Sequence, residues 1–353
     1  MERKYNMEQL NVKLDQLTEF LQENWKKASF PNMTAIQEKA IPVIVEGRDI
    51  IAEAPTGSGK TLAYLIPILN KIDVSNSNIQ TVILASSHEL VMQIHKEVQN
   101  WSDGSSVKTA AFIGGANIKR QMEKLKKKPQ IIVGTPGRVL ELIKKKKIKM
   151  HHVQTIVLDE ADQLIVPEHR ETVKEIIQAA RSERQLLLFS ATLTEEVVQE
   201  VTHWMKTPEI IKITNDSSLP EVEHIYFVCE NREKIEILRK LGRLENMKGI
   251  VFMEDIGRLN VFSQKLQYKK LPIGVLHSDV NKKDRQNAIK NFREGKFSLL
   301  LATDVAARGL HIEGINYVIH LDIPKDFTQY VHRSGRTGRL GSTKGTVISI
   351  VNP

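Results

Sequence analysis

The eight residues Ala54-Pro55-Thr56-Gly57-Ser58-Gly59-Lys60-Thr61 constrain this fold more than any other segment. They lie between an apolar run, Asp49-Ile50-Ile51-Ala52-Glu53, and a helix-period segment, Leu62-Ala63-Tyr64-Leu65-Ile66-Pro67. A strand, a glycine-bearing loop and a helix start in that order make a phosphate cradle, because backbone N–H groups and the helix dipole converge on the loop. In such a cradle Thr56, Gly57, Ser58 and Gly59 form the turn, Lys60 reaches the β- and γ-phosphates, and Thr61 reaches Mg²⁺. Ala54 stands where the strict pattern has its first glycine. Further on, the apolar run 155–158 ends in Asp159-Glu160-Ala161-Asp162. A strand that delivers carboxylates at its C-terminal end matches a second nucleotide element, with Asp159 on Mg²⁺ and Glu160 polarising the attacking water.

Apolar runs of this kind recur at 81–85, 130–133 and 185–189, with helix-period segments between them. They read as strands buried on both faces and crossed over by helices. The pattern restarts at 249–252, 273–276, 298–302, 317–320 and 345–350. The expected fold is therefore α/β, with two tandem domains that are each a mostly parallel sheet flanked by helices. A length of 353 residues accommodates both. The polar stretch 214–220, ending in Pro220, is the expected linker between residues 1–213 and 221–353.

Lys and Arg number 51 against 42 Asp and Glu, a net charge of +9 that favours polyanionic partners. Residues 118–150 alone hold 12 basic side chains against 2 acidic ones. These lysine runs suit either helix ends that complement the macrodipole or phosphate contacts. Aromatic residues make up 5% of the chain and none interleaves the runs, so a base-stacking platform is not expected. Trp25, Trp101 and Trp204 read as packing residues. A single cysteine, Cys229, excludes an internal disulfide and a thiolate zinc site, and His151, His152, His169 and His224 lack paired ligand spacing. No apolar run approaches the ~18 residues of a membrane span, so a cytoplasmic protein is expected.

The loop at 54–61 and the tetrad at 159–162 resemble those of the DEAD-box family of ATP-dependent RNA helicases, and further segments extend the resemblance from about Phe30 to Ile350. Phe30-Pro31-Asn32-Met33-Thr34-Ala35-Ile36-Gln37 resembles the family's Q motif, which implies that Phe30 stacks on adenine and Gln37 reads its edge. Met33 and Ala35 replace the usual prolines. Ser190-Ala191-Thr192 is similar to the motif that, with Asp162, couples hydrolysis to unwinding. The basic, glycine-bearing array 332–339 resembles motif VI, which implies that Arg336 and Arg339 reach the γ-phosphate while His332 and Arg333 take part in coupling. Segment 302–310 resembles motif V, with Thr303 toward RNA and Asp304 positioning motif VI within the nucleotide-binding set. His277 and Arg285 lie in the segment that precedes it.

The resemblance implies two RecA-like domains that use ATP and Mg²⁺, and RNA contacts at Ser87, His88, Gly114, Gly115, Thr135, Pro136, Gly137, Arg138 and Thr303. It implies an RNA-stimulated ATPase that locally unwinds short duplexes or remodels RNA–protein complexes by closing its domains. An ATP-dependent RNA clamp or assembly scaffold with slow hydrolysis is the alternative. The expected partner is RNA, more narrowly ribosomal RNA or ribosome-assembly intermediates, with the chain acting as a monomer like a small bacterial member. Two departures stand out: His88 replaces an arginine of the first RNA strip, and His311 replaces the aspartate that ends motif V. The sequence ends at Val351-Asn352-Pro353, where the family continues into a helix, which suggests a truncated chain or a short member.

Overall fold

The computed structural model describes residues 17–30, 32–214, 220–307, 312, 314–338 and 344–353. The chain divides into two compact units, Met1–Asp216 and Ser217–Pro353. The boundary falls inside the polar stretch 214–220, of which 215–219 lie outside the described residues.

The first unit runs α1 (Glu19–Ala28), α2 (Ala35–Val45), β1 (Ile50–Glu53), α3 (Lys60–Lys71), β2 (Thr81–Leu84), α4 (His88–Trp101), β3 (Thr109–Phe112) and α5 (Ile118–Lys126). It continues through β4 (Ile131–Gly134), α6 (Pro136–Lys144), β5 (Thr155–Asp159), α7 (Ala161–Leu164), α8 (Pro167–Gln178), β6 (Gln185–Ser190), α9 (Glu195–Thr202) and β7 (Glu209–Lys212). Among the described residues its seven strands lie in the order β3-β4-β2-β5-β6-β1-β7, and every pairing is parallel.

Successive strand residues feed opposite cores. Ile50, Ala52, Val157, Leu187 and Phe189 pack on one face of the sheet, and Ile51, Ile156, Leu158, Leu186 and Leu188 on the other. Each large apolar side chain buried this way stabilises the unit by about 1.5–3 kcal/mol. Helix α4 shows the matching pattern, with Leu90, Val91, Ile94, Val98 and Trp101 buried at three- and four-residue spacing.

The second unit runs β8 (Val222–Val228), α10 (Lys234–Leu241), β9 (Gly249–Phe252), α11 (Ile256–Tyr268), β10 (Ile273–Leu276) and α12 (Lys282–Arg293). Then follow β11 (Leu299–Ala302), α13 (Asp304–Ala307), β12 (Tyr317–His320), α14 (Phe327–Ser334) and β13 (Gly345–Val351). Among the described residues its six strands are ordered β10-β11-β9-β12-β13-β8, again all parallel.

The lysine runs occupy helix ends. Lys127 caps α5, Lys145 caps α6, and Lys128 and Lys146 leave those helices in the left-handed conformation. Intra-unit pairs such as Lys126–Glu123 (2.7 Å), Lys144–Glu175 (2.8 Å) and Lys145–Glu141 (2.9 Å) hold part of this charge. Trp25 and Trp101 are buried, Trp204 packs against the core, and Cys229 is a buried thiol in the second unit.

Candidate active site

Strand order assembles the site. The loops that follow β1, β6 and β5 carry residues 54–59, 190–192 and 159–162, and these strands are neighbours in the sheet. Their carboxyl ends therefore present the three segments side by side, where parallel α/β sheets place ligands.

Gly57 and Gly59 turn the phosphate loop at φ 83° and 90°. A Cβ on Gly59 would also lie 2.5 Å from Gln37 Nε2. Gln37 is buried; its Nε2 donates to Gly59 O (3.3 Å) and its Oε1 accepts the Thr34 N–H (3.0 Å), so it braces the loop from α2. Phe30 is 42% exposed and stacks over Trp101, with ring centroids 6.3 Å apart at 13°. Lys60 Nζ donates to Ala54 O (2.6 Å) and Pro55 O (2.9 Å). Ser58 Oγ is buried and has no partner among the described residues. A hydroxyl needing a partner, glycine turns and an ammonium at a helix start fit a bound phosphate.

Asp159 ends β5 at 4% exposure. Its Oδ2 accepts the Tyr64 hydroxyl (2.7 Å) and its Oδ1 accepts the Glu160 N–H (2.9 Å). Burial pushes its carboxyl up to about 6; the Tyr64 bond opposes this and the Glu160 charge adds to it. Glu160 adopts φ 50°, ψ 55° ahead of α7. That left-handed backbone costs a non-glycine residue about 1–2 kcal/mol, and it turns the chain sharply between β5 and α7. Asp162 accepts from Ser190 Oγ and from Gln163 Nε2 (3.1 Å), while Ser190 Oγ accepts the Thr192 N–H (3.4 Å). The turns after β5 and β6 are thus tied together.

Among the described residues no group of three or more His, Cys, Asp or Glu side chains forms a metal cluster. Mg²⁺ needs no such cage, since it takes one or two protein oxygens together with phosphates and waters, and Thr61 with Asp159 fits that donor set.

Loops after β2, β4 and β3 form the other half of the edge. Ser87 caps α4 by accepting the Leu90 N–H (3.2 Å), which leaves His88 exposed at the first helical position. His88 Nε2 lies 3.5 Å from where a Gly114 Cβ would stand. The Gly114 N–H donates to Thr135 Oγ1 (3.3 Å), and among the described residues nothing lies within 4 Å of a Cβ built at Gly115 or Gly137, so backbone there is open to close approach. Pro136 opens α6. Arg138 is 9% exposed, with both Nη atoms 3.1 Å from Ala116 O and Nε 3.0 Å from Glu141, so it fixes the loop after Gly115.

In the second unit Thr303 is buried after β11, and its N–H donates to Leu276 O (3.1 Å). Asp304 accepts from Arg333 Nε (2.7 Å) and Nη2 (2.6 Å) and from Gln329 Nε2 (2.8 Å). Arg333 is 1% exposed, also donates to Asp322 O (2.6 Å), and lies 5.1 Å from the Phe252 ring centroid. Arg336, one turn after His332, donates from Nε to the His332 carbonyl (3.3 Å). Arg285 donates to Ala306 O (2.9 Å), and His277 Nδ1 accepts the Asp279 N–H (3.3 Å). Arg339, His311 and Pro31 lie outside the described residues.

Sequence reasoning passed over Tyr64 and Gln329. Tyr64 falls four residues after Lys60, on the same helical face, and that spacing was the available signal.

Comparison with known proteins agrees with this arrangement. Residues 34–201 match the DEAD/DEAH box helicase family, and residues 233–341 match the helicase conserved C-terminal domain. The chain is 54% identical over 333 residues to the probable ATP-dependent RNA helicase YfmL of Bacillus subtilis, covering 94% of this chain and 88% of that protein. It is 47% identical over 334 residues to the DEAD-box ATP-dependent RNA helicase CshC of Bacillus cereus, covering 95% and 86%. The solved structure of S. cerevisiae Dbp5 bound to RNA and ADP BeF3 is similar at a TM-score of 0.85 and 28% identity, covering 96% of this chain and 88% of that one.

Proposed function

This chain belongs to the DEAD-box family of ATP-dependent RNA helicases, and from that premise we propose an RNA-stimulated ATPase that locally unwinds short RNA duplexes or remodels RNA–protein complexes through ATP-driven closure of its two units. The observation that carries the reading is the adjacency of β5, β6 and β1, which sets the phosphate loop, the Asp159–Asp162 turn and Ser190–Thr192 on one sheet edge.

In this reading Lys60 and the N–H groups of 57–61 hold the β- and γ-phosphates, while Gln37 and Phe30 take the adenine. Thr61 and Asp159 would hold Mg²⁺, which would supply positive charge to offset that of the phosphates. Glu160 orients the attacking water and accepts its proton. Arg336 and Arg339 offset charge on the transferred group, a role suited to a guanidinium that stays ionised. Asp304 holds Arg333 so that the following arginines are presented from a fixed helix end. RNA lies along Ser87, His88, Gly114, Gly115, Thr135–Arg138 and Thr303, where open glycine backbone and helix starts suit phosphates and carry no sequence code.

Steady-state ATP hydrolysis with and without single-stranded RNA tests this function. Strong stimulation that is lost in Glu160→Gln is the expected result. Hydrolysis indifferent to RNA would replace the helicase reading with that of a slow RNA clamp.

A further inference from the structure

Tyr64 is a fully buried phenol to which the nucleotide site described above gives no role. It lies one turn after Lys60 on α3, and its ring is fixed against Phe189 with centroids 5.3 Å apart. From that position the hydroxyl donates to Asp159 Oδ2 at 2.7 Å, while the other carboxylate oxygen is held by the Glu160 N–H at 2.9 Å. Both oxygens are thereby fixed in direction, and each keeps a lone pair for a cation. Thr61 lies three residues earlier on the same helix, a spacing that puts it on the face that carries Tyr64.

We propose that Tyr64 is a positioning residue for Mg²⁺: its hydroxyl sets the direction in which Asp159 presents its carboxylate, so that α3 carries both Thr61 and the phenol that orients the second metal holder. The inference rests on the reading in which Thr61 and Asp159 hold Mg²⁺, and it deepens that reading. A core-filling tyrosine would need only its ring, and phenylalanine would serve equally. A positioning tyrosine needs its oxygen, because outer-shell partners of metal ligands commonly change metal affinity by ~10–100-fold.

The test is a titration of fluorescent ADP on the full chain, in EDTA and across Mg²⁺ concentrations, comparing the wild type with Tyr64→Phe and Asp159→Asn. Tyr64→Phe is expected to raise the Mg²⁺ concentration for half-maximal tightening of ADP about tenfold, with ADP affinity in EDTA unchanged. An unchanged Mg²⁺ midpoint in Tyr64→Phe, with the Mg²⁺ effect abolished in Asp159→Asn, would overturn the positioning role and leave the metal reading standing. Equal weakening of ADP in EDTA and in Mg²⁺ would mean that the side chain only packs, and would also overturn the proposal. A Mg²⁺ effect that survives Asp159→Asn would bring down the metal reading and the inference together.

Discussion

Asp159 and Asp304 stand at comparable places in the two units, Asp159 as the last residue of interior strand β5 and Asp304 at the start of α13, two residues beyond interior strand β11. Their neighbours make them different groups. Asp159 is held by a neutral phenol and one backbone N–H, which fix it without neutralising it. Asp304 is held twice by the Arg333 guanidinium and once by the Gln329 amide, so its charge is already matched within the fold. The same side chain in the same kind of sheet is thus left available for a cation in one unit and committed to a strut in the other. What separates them is the charge of the donor, not the geometry of the strand.

Substitution should break the two aspartates in opposite ways. Asp304→Asn leaves the Arg333 cation buried with only neutral partners, and we expect the denaturant midpoint of the second unit to fall by the equivalent of about 3–5 kcal/mol. Asp159→Asn should instead lower the ATP turnover number by roughly 10²–10³-fold with the chain still folded. Equal stability losses in both variants would erase the distinction.

Acid sharpens the contrast. The Asp159 carboxyl titrates near 6 in the fold against an ordinary value of 3.8, so the folded state binds its proton more readily, and stability is lost as pH rises from about 4 to 6. Asp159→Asn should therefore be more stable than the wild type at pH 7.5 by about 2–3 kcal/mol, a gain that vanishes near pH 4.

His320 runs the other way. Burial first, then the Arg333 charge, push its imidazole down to about 3, against opposition from Asp304. That stability is present above the ordinary imidazole value and is lost as pH falls from 6.5 toward 3. His320→Gln should flatten the acid loss of thermal stability by about 2 kcal/mol between pH 7 and 5. The smallest expected effect is at His88, where His88→Arg should tighten RNA binding about three- to fivefold at pH 7.5 by adding a permanent charge beside Gly114. No gain in a binding titration would remove His88 from the RNA edge.

How much the sequence discloses depends on how local each feature is. The phosphate loop is legible because one strand end, one turn and one helix start make the cradle within eight residues. Interior strands are legible because burial on both faces demands an unbroken apolar run, as in 155–158 and 299–302. Three strands escaped the pattern, β3, β7 and β8, and all three are at sheet edges. Thr109–Phe112 is half alanine, Glu209–Lys212 has charged ends, and β8 leaves Tyr226 and Val228 exposed. An edge strand has a neighbour on one side only and does not need the continuous run. Within the site, the bonds from Tyr64 to Asp159 and from Arg333 to Asp304 join residues far apart in the chain, and no local spacing announces which carboxylate receives a phenol and which a guanidinium.

Lys60 is oriented by its own loop. Its ammonium is bonded to the Ala54 and Pro55 carbonyls, so the loop that carries the cation also sets its direction. The charge of the cradle is thereby held in place by main-chain oxygens that no side-chain substitution can remove.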